Sequence, residues 1–420
     1  MRFRFLHAAD LHLDSPFRGL SAAAPARVAA DLAAATLGSW DRIVDLALAE
    51  RVDLVVVAGD IFETEARTIR AQLAFADGAR RLDAAGIPTF LVTGNHDPLS
   101  GWEASVPLPP SVHRFGADDV EAIPVRRDGE TIAHVHGISY AKREVRENLA
   151  VRFHKGAGAP FSIGLLHANV GGRPGHEDYA PCSVADLVAT GIDYWALGHI
   201  HQPTVIRESS PTIVYPGNPQ GRDPGETEPR GAVLVTVEDG RVFLDPRALD
   251  RVRWAERALP IGPLPSIVAL EEALRGLAEE ARAEAGRPTI LRLRLQGAGP
   301  LHTELRRDPG GLAAIRERLN TRLLHGEPWT WVEQLTDRTR SVDAESVAGE
   351  LVAELDRVIV EAGDAFRAGT PDPAGVRAAL AALNGRDGLR EALGTFRPEE
   401  LDAIVLAARE RIVDELAGRG

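Results

Sequence analysis

Five short apolar segments in the first half of the chain are each followed by residues of a type that binds metal ions. The segments are Arg2–Ala8, Asp53–Ala58, Pro88–Val92, Phe161–Leu166 and Tyr194–Leu197. Runs of this length, rich in β-branched and other apolar residues, are typical of buried strands. In α/β sheets, ligand sites form at the carboxyl edge of the strands. The pattern therefore predicts an α/β fold whose site is assembled along one sheet edge.

The residues that follow these segments suit hard or borderline metal ions. They are Asp10, His12, Asp60, Asn95, His96, Asp97, His167, His199 and His201. Imidazole, carboxylate and amide oxygen are ligands of manganese, zinc or iron. Asp60 ends a rigid strand and has two carboxylate oxygens, so it is placed to bridge two cations. Taken alone, Asp10 or Asp60 could equally be a turn residue or a helix cap. Five such elements in order indicate a centre with two metal ions.

Local spacing adds two expectations about the backbone at these strand ends. Asp10 and His12 lie two residues apart, as do His199 and His201, so an extended backbone would direct both side chains of a pair to one side. Glycine at positions 59, 94 and 198 allows tight turns that bring the backbone near the metals.

The chain changes character near Asp250, and three regions are predicted. Residues 1–250 carry all the metal-type elements, with helices near 24–49 and 68–85 and a closing hairpin around Asp239-Gly240. Residues 251–343 are predicted to be a small second α/β domain, because an alternating strand at 290–295 lies between two helical patterns. Residues 344–420 are predicted to be a helical C-terminal region with a linker at 369–373.

Composition excludes several classes of protein. A chain of 420 residues is expected to form two or three domains. The single cysteine, Cys182, excludes an intrachain disulfide framework, and no apolar run reaches the roughly 18 residues of a membrane helix. We therefore expect a cytoplasmic protein with no membrane partner. The formal net charge of −13 argues against coating nucleic acid through bulk positive charge, but it does not exclude a site whose metal ions attract a phosphate.

The ordered motifs resemble those of the calcineurin-like metallophosphoesterase superfamily. They are Asp10-Leu11-His12, Gly59-Asp60, Gly94-Asn95-His96-Asp97, His167 and Gly198-His199-Ile200-His201. Within it, residues 6–17 and 215–222 resemble the SbcD/YhaO group of DNA repair exonuclease subunits, and its YhaO members most closely. The resemblance covers about residues 1–245. It implies a β-sandwich flanked by helices in α-β-β-α layers, followed by a small α/β capping domain and a helical C-terminal region.

The resemblance also implies a role for each site residue. One metal ion would be held by Asp10, His12, Asp60 and His201, and the other by Asp60, Asn95, His167 and His199. His96 would be the general acid near the leaving oxygen, and a water activated by the two divalent ions, Mn2+ by preference, would be the nucleophile. Some members have a histidine three residues beyond the bridging aspartate. This chain has Glu63 there, and its role is left open.

The same resemblance implies partners. DNA would be the substrate, and a separate ATPase of the SbcC/YhaN type would act with the chain, which has no Gly-x-x-x-x-Gly-Lys-Ser/Thr motif of its own. The region 344–420 could bind this partner, and a homodimer is left open.

Three functions are compatible with these residues. The first is a metal-dependent DNA exonuclease subunit in repair, favoured by the SbcD/YhaO resemblance and the C-terminal extension. The second is a phosphodiesterase or phosphatase for nucleotides or other small esters, which the negative net charge favours. The third is a scaffold for DNA ends or an ATPase, against which the complete set of ligand residues argues.

Two further clusters have two interpretations each. His134 and His136 are two apart on a predicted strand and could face one side, but without a third ligand nearby we expect a solvated or hydrogen-bonded pair. A basic cluster could contact a phosphate backbone or form a solvated face with Glu144 and Glu147. Its members are Lys142, Arg143, Arg146 and Arg152.

Overall fold

The structure, a computed structural model, describes residues 1–20, 23–63, 68–101, 106–156, 158–172, 177–308 and 310–340. The predicted helical region 344–420 and its linker lie outside the described residues. The chain divides into two compact units. One contains Met1–Arg257, Arg275–Leu293 and Arg316–Leu335, and the other contains Ala258–Leu274, Arg294–Ile315 and the described residues after Leu335. The domain boundaries predicted at residues 250 and 343 stay predictions.

The first sheet has six strands and a parallel centre. In spatial order they are β12 (Arg241–Ala248), β11 (Gly231–Glu238), β1 (Arg2–Ala8), β2 (Leu54–Ala58), β3 (Thr89–Val92) and β4 (Val112–Arg114). Strands β1 to β4 run parallel, so their carboxyl ends meet at one edge. Strands β11 and β12 form the predicted antiparallel hairpin, with Asp239 and Gly240 at its turn.

The second sheet also has six strands. In spatial order they are β5 (Glu121–Arg127), β6 (Glu130–Gly137), β7 (Ser162–His167), β8 (Tyr194–Gly198), β10 (Thr212–Tyr215) and β9 (Thr204–Arg207). Strands β6, β7, β8 and β10 run parallel, and the two edge strands run antiparallel to their neighbours. Two of the predicted metal-type elements, at His167 and His199, follow adjacent strands of this sheet.

The two sheets pack face to face around an apolar core. Alternate residues of each strand point into it, for example Phe3 and Phe5 of β1 against Ile163 of β7. Phe5 and Tyr194 meet edge to face across the sandwich, with ring centroids 5.1 Å apart. His7 lies in the same core and has both ring nitrogens bonded, to the Tyr194 hydroxyl and to the Leu197 carbonyl oxygen. His7 is therefore a structural residue of the core.

Helices cover the outer faces of the sandwich. On the first sheet lie α1 (Ala26–Glu50) and α2 (Ile69–Ala84), and on the second lie α3 (Val184–Ala189) and the 3-10 turn Leu149–Arg152. The Thr68 hydroxyl caps α2 by accepting from the Ala71 backbone N–H. The α-β-β-α fold predicted from the sequence is therefore confirmed. No helix among the described residues has both the length and the apolarity needed to cross a bilayer.

A third sheet follows residue 252. Its strands, in spatial order, are β13 (Arg253–Pro260), β14 (Thr289–Ala298) and β15 (Thr330–Arg340), with helices α4 (Ile267–Ala285), α5 (Leu301–Arg307) and α6 (Gly311–Leu323). Within the first compact unit, Trp254, Trp329 and Trp331 pack against Val28 and Leu32 of α1. The Trp329 indole N–H also donates to the Asp31 carboxylate over 2.6 Å.

Two helical glycines provide a matched test of this packing. A Cβ at Gly78 in α2 would overlap the Trp40 ring of α1, whereas one at Gly276 in α4 would meet nothing within 4 Å. We expect Gly78→Ala to lower the free energy of unfolding by about 1–3 kcal/mol through overpacking. The control Gly276→Ala should raise it by roughly 0.5–1 kcal/mol through lost chain entropy in the unfolded state. Denaturant titration measures both, and equal effects would contradict the packing described here.

Candidate metal centre

All eight residues predicted to form the site are brought together at one edge of the sandwich. They lie at or just beyond the carboxyl ends of β1, β2 and β3 of the first sheet and of β7 and β8 of the second. Asp10, His12, Asp60, Asn95, His167 and His199 are all less than 9 % exposed. The side chains of His96 and His201 are more accessible, at 25 % and 28 %. The site is thus a buried cluster with two histidines at its mouth.

The backbone at these positions is left-handed, which differs from the extended conformation expected. The φ angles are +53° at Asp10, +42° at His12, +51° at Asp60 and +98° at His199. Such values are uncommon outside glycine and are sustained here by cross-strand bonds. The His12 N–H donates to the Asp60 carbonyl oxygen over 3.0 Å, for example. The expectation of extended pairs was wrong because the chain turns sharply as soon as each strand ends.

His12 and His201 point their Nε2 atoms at each other. These two atoms lie 3.1 Å apart. On the outer side of each ring, Nδ1 meets a carboxylate, at 3.1 Å from Glu63 for His12 and at 2.7 Å from Glu226 for His201. The Glu226 contact turns His201 Nε2 inward, and the Nε2 atoms of the two rings face each other. Burial and the positive charge of Arg222 lower the pKa of His12 to about 3, which keeps this ring neutral.

His167 and His199 are anchored in the same way. His167 Nδ1 donates to the Ala58 carbonyl oxygen over 2.9 Å, so its lone pair is on Nε2. That atom lies 3.0 Å from Asn95 Oδ1, which is also an acceptor. His199 Nε2 donates to the Glu177 carbonyl oxygen over 2.9 Å, which puts its lone pair on Nδ1. Outer partners of this kind orient the histidine ligands of metal sites.

Two buried carboxylates complete the cluster. Asp60 Oδ2 lies 3.4 Å from His167 Nε2 and 3.9 Å from His12 Nε2, so it stands between the two groups of imidazoles. Burial and the neighbouring charge of Asp60 raise the pKa of Asp10 well above its ordinary value. Facing lone pairs and adjacent buried carboxylates repel one another unless protons or cations lie between them. The donor set therefore fits divalent cations.

The donor atoms form three overlapping groups within the described residues. In each group the atoms lie within 4.8 Å of one another, and the groups are Asp10–His12–His201, Asp10–Asp60–His167 and His12–Glu63–His96. The third differs from the others, because the Glu63 carboxylate there meets the Nδ1 atoms of both histidines. In this group one carboxylate is shared by two imidazole rings.

His96 turns away from the neighbouring Asn95. Its Nδ1 lies 2.6 Å from Glu63 Oε1, while its backbone N–H donates to Asp60 Oδ1 over 2.9 Å. Burial alone would lower the pKa of His96, but the Glu63 and Asp60 carboxylates outweigh burial and raise it. The two carboxylates therefore favour the protonated form of the His96 ring.

The structure gives Glu63 a position that the sequence left open. Its carboxylate contacts the rings of His12 and His96, and two arginines approach it, each at 3.3 Å. These are Arg222, whose side chain is 7 % exposed, and Arg18, whose side chain is 59 % exposed. A glutamate in a loop carries no pattern that predicts four tertiary contacts. Its offset of three residues from Asp60 was the one available signal.

Two further carboxylates position the site and were not predicted to do so. Asp97 accepts from the backbone N–H groups of Gly94 and Ile61 at 2.8 Å, which joins two of the strand-end loops. Glu226 holds His201 and also accepts from the Arg222 backbone N–H over 2.7 Å. Burial would raise the pKa of Glu226, but these bonds outweigh it and hold the pKa below its ordinary value.

Glycine is required where the two sheets approach at the site. A Cβ at Gly94 would overlap Asp60 Oδ1, and one at Gly198 would overlap the Ala58 carbonyl oxygen of the opposite sheet. Any larger residue at these positions would separate elements that carry ligand candidates. This agrees with the close approach expected from the sequence.

The two remaining clusters are not members of these donor groups, although Arg143 of the basic cluster is near enough to His96 to act against the rise in its pKa. His134 and His136 are on β6, with ring centroids 6.3 Å apart, and neither belongs to a possible metal-binding group among the described residues. In the basic cluster, Arg146 pairs with Glu144 at 3.3 Å with both side chains largely exposed. That pair fits the solvated-face interpretation.

Comparison with known proteins agrees with this geometry. Residues 3–203 match the family described as calcineurin-like phosphoesterase, and residues 254–340 match the middle domain of the metallophosphoesterase YhaO. The chain is 35 % identical to metallophosphoesterase YhaO of Bacillus subtilis over 357 residues, which is 84 % of this chain and 87 % of that one.

Two DNA-related proteins are more distant relatives. The chain is 27 % identical to the DNA double-strand break repair protein Mre11 of Thermoplasma acidophilum, over 51 % of this chain and 59 % of that one. It is 25 % identical to a component of the nuclease SbcCD of Bacillus subtilis, over 51 % of this chain and 61 % of that one. On its strand-end motifs, its fold and its extended match to YhaO, the chain belongs to the calcineurin-like metallophosphoesterases of the YhaO family.

Proposed function

We propose that this chain is a DNA exonuclease subunit that hydrolyses phosphodiester bonds with two divalent metal ions. The observation that carries the proposal is the pair of facing imidazole nitrogens, His12 Nε2 and His201 Nε2, which lie 3.1 Å apart with a carboxylate beside the outer Nδ1 of each ring. Two imidazole nitrogens held this close would bind one cation between them. The DNA-related names of two relatives support nucleic acid as the substrate.

Each metal ion would take four of the residues at the strand ends. The first would be held by Asp10, His12, Asp60 and His201, and the second by Asp60, Asn95, His167 and His199. Asp60 would bridge, since its Oδ2 lies between His12 and His167. Mixed imidazole, carboxylate and amide ligands suit Mn2+. A pair of divalent cations would neutralise phosphate charge and lower the pKa of water.

His96 would act as the general acid. Its Nδ1 is held by Glu63, so the proton would pass from Nε2 to the leaving oxygen as the phosphorus–oxygen bond breaks. The Glu63 carboxylate beside the ring raises the pKa of His96 and so supports its protonated form. Glu63 would be a positioning residue, since it fixes the ring and supports its charge without belonging to the metal groups around Asp10.

A separate ATPase would act with the chain in DNA repair. The relative named as one component of the nuclease SbcCD supports this proposal. By resemblance, the partner would be of the SbcC/YhaN type and would bind the region 344–420. A cytoplasmic location, like the homodimer left open above, stays a prediction.

Metal removal is the first test. Because the facing nitrogens and buried carboxylates need cations between them, exhaustive chelation should abolish hydrolysis and Mn2+ should restore it. Labelled duplex DNA, single-stranded DNA and a bis-nitrophenyl diester serve as parallel substrates. Full activity in protein shown by elemental analysis to be metal-free would contradict the proposal. Turnover of the small diester alone would favour a small-molecule phosphodiesterase.

The carboxylate behind His201 can be tested by metal affinity. Glu226→Gln removes the charge that orients this ring and should weaken binding of one metal ion by about 10–100-fold. Glu228→Gln is the matched control, since Glu228 pairs with Gln202 in the same segment. Calorimetric titration with Mn2+ measures both variants. Equal affinities in the two would show that Glu226 does not support a ligand.

Proton transfer can be separated from metal binding at His96. His96→Ala should lose roughly 10²–10⁴-fold in the rate of DNA hydrolysis, because the leaving oxygen goes unprotonated, yet still bind two metal ions. A nitrophenyl leaving group needs little protonation, so the defect on that diester should be much smaller. Asp60→Ala is the contrasting variant and should lose metal as well as activity. If His96→Ala loses a metal ion, or slows both substrates equally, His96 is not the acid.

A further inference from the structure

We propose that Arg18 binds the phosphate group next to the scissile one, on the side of the leaving group. The centre would then select a nucleic acid strand over a small diester, because only a strand carries a second phosphate there. This inference rests on the proposed function, in which His96 protonates the leaving oxygen.

The position of Arg18 relative to His96 is the first argument. Arg18 Nη2 lies 3.3 Å from Glu63 Oε1, and the same oxygen lies 2.6 Å from His96 Nδ1. One carboxylate oxygen therefore separates the Arg18 guanidinium from the ring that would face the leaving oxygen. The next phosphate beyond the leaving oxygen is one nucleotide away along the strand, so a cation beside the ring that would face that oxygen is placed to meet it.

The accessibility of Arg18 is the second argument. Glu63 already has a buried cation in Arg222, with a side chain only 7 % exposed, together with the rings of His12 and His96. The Arg18 side chain is 59 % exposed. A guanidinium has five N–H donors in a planar fork that matches phosphate oxygens, and the Glu63 contact is made by one nitrogen. Arg18 can keep this contact and still present its outer edge to a phosphate.

The loop that carries Arg18 is held in place on both sides. The Arg18 backbone N–H donates to the Arg222 carbonyl oxygen over 2.8 Å, and Arg292 donates to the Gly19 carbonyl oxygen over 2.6 Å. Gly19 has φ +66°, and a Cβ there would come within 2.9 Å of Pro224. The guanidinium therefore starts from a fixed backbone, which lowers the entropy lost on binding a phosphate.

The local charge also favours this role. The chain as a whole has a net charge of −13 and repels a polyanion at long range. Phosphates beyond the metal ions therefore need their own cationic contact. Arg18 is an exposed arginine joined directly to the carboxylate that holds the proposed acid. An arginine–phosphate contact positions a strand without reading its bases, so no sequence preference is expected from it.

The test uses full-length protein with Mn2+ and oligonucleotides that carry one neutral methylphosphonate linkage. The neutral linkage is placed next to the cleaved bond, on the leaving-group side or on the opposite side. Mass spectrometry of the products identifies the leaving side as the fragment that ends in a hydroxyl. In the wild type, neutralising the leaving-side linkage should lower kcat/KM roughly 10–100-fold, as expected for a charge-assisted bond.

Arg18→Ala should remove this discrimination, so that the charged and neutral oligonucleotides react at nearly equal rates. Arg80→Ala is the control. Arg80 also pairs with a carboxylate, Asp77, but it lies near the end of α2 that leads into the start of β3, at the opposite edge of the sheet. The Arg80→Ala variant should therefore distinguish the charged from the neutral oligonucleotide as strongly as the wild type does.

Each other outcome overturns the inference. If the wild type does not discriminate, or does so only on the opposite side, Arg18 does not hold the leaving-side phosphate. If Arg18→Ala slows both oligonucleotides by the same factor, Arg18 only positions Glu63. If the variant fails to fold, the wild-type measurement can still overturn the inference by showing no discrimination on the leaving side. Turnover of a nitrophenyl diester with no cleavage of any oligonucleotide would instead overturn the proposed function itself.

Discussion

The arrangement of the site depends on how charge is balanced among the carboxylates and imidazoles buried at one edge of the sandwich. Asp10 and Asp60 are buried there as adjacent carboxylates, among imidazoles whose inner nitrogens face the same small space. Groups of this kind repel one another at low dielectric unless positive charge lies between them. Protons could supply that charge, but the outer nitrogens are anchored by carbonyl and carboxylate groups, which leaves the inner ones as ligands. Binding of two cations is the proposal that satisfies every donor at once.

The scaffold holds this cluster by joining elements that are distant in the chain. Parallel strands bring their carboxyl ends to one edge, and glycines let Ala58 and Gly198 of opposite sheets approach closely. Left-handed turns then direct the side chains inward. Behind them, Glu63 and Glu226 orient two of the rings from the outer side. Glu63 also contacts His96 and Arg18. One carboxylate therefore joins the proposed ligand His12, the proposed acid His96 and the proposed phosphate contact Arg18.

The sequence predicted the fold class, the central strands and the hairpin at Asp239-Gly240, because these depend on local apolar pattern and turn chemistry. It also predicted which side chains would meet, since strand ends share an edge. It did not predict the positioning roles of Glu63, Asp97 and Glu226, whose partners lie tens of residues away or in another loop. Short or exposed strands such as Val112–Arg114 and Thr204–Arg207 were missed because few residues carry their pattern.

The central claim is that two metal ions share Asp60. Crystals of the protein grown with Mn2+ would test it directly through anomalous scattering at the manganese edge. The account predicts two peaks, one contacting His12 and His201 and one contacting Asn95, His167 and His199, with Asp60 contacting both and His96 contacting neither. A single peak, or a peak bound by His96 and Glu63, would contradict it.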